Sequence, residues 1–162
     1  MTDFRIPFID TLMALAERDK RIILIVPDVG FKHADRFQEK YPDRYFNFGV
    51  TEATTVIAAA NMALKGLKPW VYTMCPFVLY GRPAEAVRNA VVCHNANVKL
   101  VGVTGAGNYG FLGFSHNPLH KNEDRNFARN IGLRALFPRS SRAVSNVVLK
   151  ENKVKSAAYI RL

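Results

Sequence analysis

Glu52 is the side chain whose position in the sequence most clearly indicates chemistry. It follows a short aromatic stretch, Tyr45–Phe48, and Gly49, and it begins an alanine-rich segment that runs to Lys65. This pattern predicts a strand, a turn and a helix, with Glu52 in the first helical turn. In an open α/β sheet, ligands bind beyond the carboxyl ends of the strands. A carboxylate placed there either complements the dipole of its own helix or takes part in catalysis.

Three further candidates follow the next predicted strand, in MCPFVLYGRPAEAVRN: Phe77, Tyr80 and Arg82. The aromatic side chains either belong to the core, which is the commoner case, or stack on a planar ligand ring. An arginine at the same edge of the sheet can bind an anion or the carboxylate of a partner chain.

His116 and His120 are four residues apart, but Pro118 between them prevents a helical pair of metal ligands. No metal site is therefore predicted for this chain. His116 lies on a glycine-rich loop after a predicted strand, where it is either a polar surface residue or a substrate ligand or acid–base group.

The segment GAGNYG, residues 105–110, matches the spacing of a dinucleotide-binding fingerprint. That fingerprint requires its last glycines to open a helix that holds a pyrophosphate. Here Gly113 and Pro118 prevent a regular helix, so a glycine-rich loop is the better interpretation. Dinucleotide binding remains an alternative that a failure to bind NAD or FAD would remove.

The composition restricts the class of protein. The chain has 162 residues, 49% of them hydrophobic, which suits one domain with a sizeable core. No apolar run is long enough to span a membrane, and the N-terminal segment predicts an amphipathic helix rather than a signal peptide. Cys75 and Cys93 form no CxxC pair, which favours a reducing cytoplasm. The net charge of +10 comes without a nucleic-acid-reading motif, so we expect no nucleic acid partner.

Apolar strands and helices alternate along the whole chain. This alternation predicts an α/β fold, a three-layer sandwich in which helices cover both faces of a mostly parallel sheet of about six strands. The predicted strands are residues 21–30, 45–48, 69–72, 98–103, 134–137 and 157–162. The predicted helices are residues 5–19, 33–40, 52–65, 83–94, 123–130 and 141–150. We expect a single domain over residues 1–162.

Taken in order, these pieces resemble the pyrimidine-binding domain of the transketolase family of thiamine diphosphate enzymes. The resemblance rests on YPDRYFNFGVTEATTVIAAANMALKGLKPWVYTMCPFV, on VKLVGVTGAGNYGFLGFSHNP, on IGLRALFPRSSR and on the closing YIRL. The first segment is the most specific, since family members carry YPDRFFNVGIAEQ before the alanine-rich helix. A loop ending in G-P-T-H follows a later strand in the family.

The resemblance implies roles for single residues. Glu52 corresponds to the glutamate that hydrogen-bonds N1′ of the aminopyrimidine, which helps the cofactor to lose its thiazolium C2 proton. Phe77 corresponds to the aromatic side chain that stacks on the pyrimidine, with Asp28 and Tyr80 as further cofactor contacts. His116 and Arg82 correspond to residues of the sugar pocket, and His116 is also expected to be catalytic.

The chain departs from the family at Ala53, where glutamine is usual, and in GFSH, where the family has GPTH. It also lacks the G-D-G motif of the domain that binds diphosphate and Mg²⁺, and the third domain that usually follows. The resemblance therefore implies a split subunit, working in a hetero-oligomer such as a heterotetramer whose partner subunit holds the diphosphate and metal.

Transfer of a two-carbon ketol unit between sugars or sugar phosphates is the function that this resemblance implies. Another thiamine diphosphate reaction stays open, either decarboxylation of a 2-oxo acid or a condensation of the deoxyxylulose-phosphate type, because fold and cofactor are shared among these reactions. A non-catalytic interaction subunit is the third hypothesis, although the presence of Glu52 disfavours it.

Overall fold

Six parallel strands form one sheet in the computed structural model, which describes residues 3–29, 32–104 and 110–162. Their spatial order is β2-β1-β3-β4-β6-β5. The strands β1 and β4 are buried over their whole length, as expected for apolar runs covered on both faces. The strand bounds are Ile22–Val26 (β1), Tyr45–Asn47 (β2), Lys68–Met74 (β3), Lys99–Val103 (β4), Ala135–Leu136 (β5) and Ala158–Arg161 (β6).

Helices cover both faces of this sheet. One face packs against α1, α2 and α6, and the other packs against α3, α4 and α5. The predicted three-layer α/β fold is therefore confirmed. The helix bounds are Arg5–Arg18 (α1), Asp35–Lys40 (α2), Glu52–Leu64 (α3), Ala84–Ala86 (α4), Glu123–Asn130 (α5) and Ser141–Glu151 (α6). A π-helical segment, Val87–Val92, continues α4.

The structure differs from the sequence prediction after β3. Residues Pro76–Tyr80 form a π-helical turn. The sequence predicted that the next helix after β3 begins at Pro83. The GAGNYG motif falls largely on residues 105–109, which lie outside the described residues. Residues Gly110–Ser115 form 3₁₀ turns. These turns are interrupted at Gly113, whose φ is 66°. This agrees with the prediction that no regular helix follows the motif.

The parallel arrangement brings the carboxyl ends of all six strands to one edge, which we call the carboxyl edge. The segments after β1, β2 and β3 leave the sheet there, as does the segment after β4. Among the described residues, no helix is both long enough and apolar enough to cross a membrane.

Candidate functional site at the carboxyl edge of the sheet

Glu52 reaches the carboxyl edge through a tight turn after β2. Gly49 has a φ of 67°, a left-handed conformation that favours glycine, and the chain enters α3 three residues later. The Asn47 side chain fixes this turn, because its Oδ1 accepts the backbone N–H of Gly49 at 2.9 Å and of Asp28 at 3.0 Å. The side-chain amide of Asn47 thereby connects the loops after β1 and β2 through hydrogen bonds.

The Glu52 carboxylate is buried and pairs with an exposed arginine. Glu52 is 4% exposed, whereas the Arg82 side chain is 61% exposed. A single guanidinium nitrogen, Nη1, donates to Oε2 at 3.0 Å and to Oε1 at 3.2 Å. The first turn of α3 adds its positive dipole end to the surroundings of the carboxylate. Glu52 therefore lies where the sequence predicted it, in the first turn of a helix at the carboxyl edge of the sheet.

A π-helical turn sets the position of Arg82. The Gly81 N–H donates to the carbonyl of Pro76 at 2.7 Å, which closes the turn. A Cβ at position 81 would lie 2.7 Å from that carbonyl oxygen, so the turn requires glycine. It brings the Arg82 guanidinium carbon to 5.8 Å from the centroid of the Phe77 ring. Residue spacing in the sequence did not reveal that Arg82 lies close to Phe77.

His116 joins the same cluster from the segment after β4. Its ring meets the Phe77 ring edge-on, with 4.9 Å between centroids and an interplanar angle of 78°. Its Nδ1 lies 2.8 Å from the hydroxyl of Ser115, which orients the imidazole. The structure thus brings together four of the six predicted site residues, in the order Glu52, Arg82, Phe77 and His116. We call these four residues the carboxyl-edge cluster.

Tyr80 and Asp28 have different surroundings. The Tyr80 ring packs 6.4 Å from that of Phe127 on α5. Its hydroxyl is buried with no hydrogen-bond partner among the described residues, and burial, together with the nearby Glu123 carboxylate, raises its pKa. Asp28 is exposed, with a left-handed φ of 52°. Their predicted roles as cofactor contacts remain predictions.

Asp124, Tyr159 and Arg161 form a hydrogen-bonded group around a buried carboxylate, and sequence analysis missed it. The Asp124 carboxylate is fully buried and accepts the Tyr159 hydroxyl at 2.7 Å and the Arg161 guanidinium at 3.1 Å. Burial raises the pKa of the adjacent Cys75 thiol to about 12. Cys75 immediately precedes the turn that carries Phe77, so this group anchors the start of that turn.

One signal for this buried group was present in the sequence. Gly102 interrupts the apolar strand β4, and a glycine inside a strand often marks a close approach. A Cβ at position 102 would lie 2.8 Å from the Tyr159 hydroxyl and 2.9 Å from the Cys75 sulfur. The glycine therefore makes room for both side chains.

Within residues 3–29, 32–104 and 110–162, no three His, Cys, Asp or Glu side chains form a group that could hold a metal ion.

The sequence matches the family model "Transketolase, pyrimidine binding domain" over residues 3–159. Among curated relatives, one subunit of the apulose-4-phosphate transketolase of Phocaeicola vulgatus is 34% identical over 115 residues, 70% of this chain and 36% of the relative. A 1-deoxy-D-xylulose-5-phosphate synthase of Methylacidiphilum infernorum is 42% identical over 64 residues, 39% of this chain and 10% of the relative. The chain thus spans well under half the length of either relative.

Solved structures show the same fold. A split-gene transketolase, described as an inactive beta4 tetramer, superposes with a TM-score of 0.85 at 25% identity, covering 98% of this chain and 50% of that one. Transketolase from Leishmania mexicana superposes with a TM-score of 0.76 at 18% identity, covering 97% of this chain and 24% of that one. Since the family model matches nearly the whole sequence, the chain belongs to the transketolase family, as a pyrimidine-binding domain.

Proposed function

We propose that this chain contributes the aminopyrimidine-binding half of a thiamine diphosphate site in a split, transketolase-like enzyme. A partner subunit with a diphosphate-binding domain holds the diphosphate and Mg²⁺, and the two subunits form a hetero-oligomer. The reaction is transfer of a two-carbon ketol unit between sugars or sugar phosphates. The proposal is supported by the family membership and by a relative that is itself named as one subunit of a transketolase.

The observation that carries the proposal is the buried Glu52 carboxylate, whose partner Arg82 also lies near the Phe77 ring. A carboxylate has about four lone-pair sites, and one guanidinium nitrogen leaves some of them for another donor. The half-buried Phe77 ring lies beside Arg82, where a flat heterocycle can stack on it. These residues therefore fit an aminopyrimidine.

Each residue has a defined task in this proposal. Bound thiamine diphosphate supplies the carbanion chemistry that cleaves and forms carbon–carbon bonds. Glu52 holds and shares a proton at pyrimidine N1′, and burial keeps water from competing for that contact. Phe77 stacks on the pyrimidine face. His116 and Arg82 contact the sugar substrate, and Asp28 and Tyr80 are the remaining proposed cofactor contacts.

The test uses the complex of this chain with the partner that co-purifies from its host. We expect equilibrium dialysis to show tight thiamine diphosphate binding, with Mg²⁺ present, for the complex and weak binding for the chain alone. Glu52→Gln should reduce turnover of the complex by roughly 10²- to 10⁴-fold, the range of general acid–base catalysis. Glu39→Gln, at an exposed position on α2, is the matched control. An unchanged rate in Glu52→Gln would falsify the assignment.

A second reaction has a specific observation in its favour. Segments of 64 and 109 residues of this chain are 42% and 33% identical to two 1-deoxy-D-xylulose-5-phosphate synthases. A synthase-type condensation begins with a 2-oxo acid, whereas ketol transfer begins with a ketose. Supplying the complex with ketose donors or with 2-oxo acids, and measuring which is consumed, separates the two reactions.

A further inference from the structure

Arg82 and Glu52 form an ion pair whose two members differ greatly in burial. Glu52 is 4% exposed and belongs to a regular helix, so its carboxylate has little freedom to move. The Arg82 side chain is 61% exposed and follows a glycine at the end of a short turn. A buried carboxylate without a partner is costly, whereas an exposed arginine gives up a salt bridge at little cost. If the pair separates, the arginine is the member that moves.

A cavity next to the pair can receive the arginine. It has a volume of 190 Å³ and lies between α3 and α4. Small side chains, Ala53, Ala86 and Ala90, form part of its wall, and Arg82 itself lines it. Glu85, an exposed residue, lies on the same wall and offers a second carboxylate. The structure therefore contains both an alternative position and an alternative counter-charge for Arg82.

We propose that Arg82 is a positioning residue that occupies Glu52 in the cofactor-free chain and is displaced into this cavity when an aminopyrimidine binds. The inference rests on the proposed function and adds to it a competition for one carboxylate. It also replaces the sugar contact proposed for Arg82, which lies in the cavity once the cofactor is bound. Arg82 keeps Glu52 oriented before the cofactor arrives. The competition costs cofactor affinity, because every binding event must first separate the ion pair.

The experiment compares thiamine diphosphate dissociation constants of the reconstituted complex, measured by equilibrium dialysis with Mg²⁺. Arg82→Gln removes the competing charge, so we expect binding to tighten by about fivefold, since a pair with one exposed member contributes little. Arg82→Lys retains the charge and should restore an affinity close to wild type. A residue that merely stabilised the fold, or contacted only the sugar, would not tighten cofactor binding when removed. Unchanged or weaker binding in Arg82→Gln overturns the proposal.

A second variant tests the cavity without altering the ion pair. Ala53→Leu fills the space that receives Arg82, so we expect thiamine diphosphate binding to weaken severalfold. Thr54→Leu places the same side chain at an exposed position of α3 outside the cavity wall and should bind normally. Equal affinities for Ala53→Leu and Thr54→Leu would overturn the displacement into the cavity.

The outcome also separates this inference from the proposed function. A wild-type complex that binds no thiamine diphosphate contradicts both. A wild-type complex that binds, and that loses affinity in Glu52→Gln, supports the proposed function whatever Arg82→Gln does. Only the Arg82 and Ala53 variants then decide the competition.

Discussion

Two glutamates are buried at opposite edges of the same sheet, and each is paired with an arginine. At the carboxyl edge, Glu52 is held by one nitrogen of Arg82. The opposite edge, where the strands begin, we call the amino edge. There Glu151 is 1% exposed and accepts hydrogen bonds from two nitrogens of Arg134, at 3.0 and 2.7 Å. A second cation, the buried Lys99, lies 3.9 Å from the same carboxylate.

The difference between these two carboxylates is the number of cationic partners that each has among the described residues. The Glu151 oxygens meet two cations, in a fork-shaped pairing with Arg134 that is the stronger geometry for arginine and carboxylate. Lys99 also donates to Asn97 Oδ1 at 2.8 Å and to the carbonyl of Val154 at 3.0 Å. The amino-edge group is thus satisfied internally and holds the strand ends together. In the described part of the chain, Glu52 has one cationic partner, which is exposed, and it retains capacity for a ligand.

The largest expected effect in this comparison is on stability at the amino edge. Glu151→Gln leaves Lys99 buried without its counter-charge, and we expect the free energy of unfolding to fall by about 3 kcal/mol. Glu52→Gln should lower it by about 1 kcal/mol or less, because Arg82 can remain in water. Urea denaturation of both variants measures the two values. Similar losses would mean that both carboxylates are structural.

A pH effect should come from the amino edge as well. Burial lowers the pKa of Lys99 to about 8, with the Glu151 carboxylate opposing the shift. Between pH 8 and the pKa of a free lysine, about 10.4, the unfolded chain binds a proton that the folded chain does not. Lys99 therefore makes the folded state more stable as the pH rises through this window, by roughly 2 kcal/mol.

Unfolding measured at pH 8, 9 and 10 tests this contribution. Lys99→Met should lack it, so the free energy of unfolding of wild type should rise with pH relative to that of the variant. Lys155→Met, at an exposed position, is the control and should follow wild type. The raised pKa of Cys75 acts in the opposite direction above pH 9, but equally in all three proteins. Parallel curves for wild type and Lys99→Met would contradict the prediction.

The smallest expected effect is on cofactor affinity and concerns the Phe77 ring in the carboxyl-edge cluster. Phe77→Ala should weaken thiamine diphosphate binding by the complex by about tenfold, in line with the 1–3 kcal/mol measured for base–aromatic stacking. Phe77→Leu keeps much of the apolar volume and separates loss of the ring from loss of packing. Both variants should leave the amino edge unchanged, so their unfolding should show the pH dependence of wild type. Wild-type affinity in both would exclude stacking on this ring.

Much of the fold could be predicted from local sequence pattern. The apolar run Ile22–Val26 is buried on both faces, and β2, α3, α5 and α6 lie where the sequence predicted them. The π-helical turn at Pro76–Tyr80 was missed, because a proline followed by apolar residues gives no helical periodicity. Its closure depends on the contact of Gly81 with Pro76, and single-residue propensities do not describe such a contact.

The site could be predicted only in part. Glu52, Phe77 and His116 were named from the sequence, and the structure brings all three into one cluster with Arg82. The pairing of Arg82 with Glu52, thirty residues earlier, was not predicted. Nor was the Asp124–Tyr159 group, because its members come from α5 and β6 and meet only after the sheet has formed.

The sequence by itself determined that this chain is a parallel α/β domain with a carboxylate at the start of a helix beside a strand end. These properties depend on apolar periodicity, turn residues and helix signals, which act over a few residues. The tertiary structure decided which cation pairs with each buried carboxylate, and how exposed that cation is. Partner and exposure depend on contacts between segments distant in sequence, and they distinguish the available Glu52 from the satisfied Glu151.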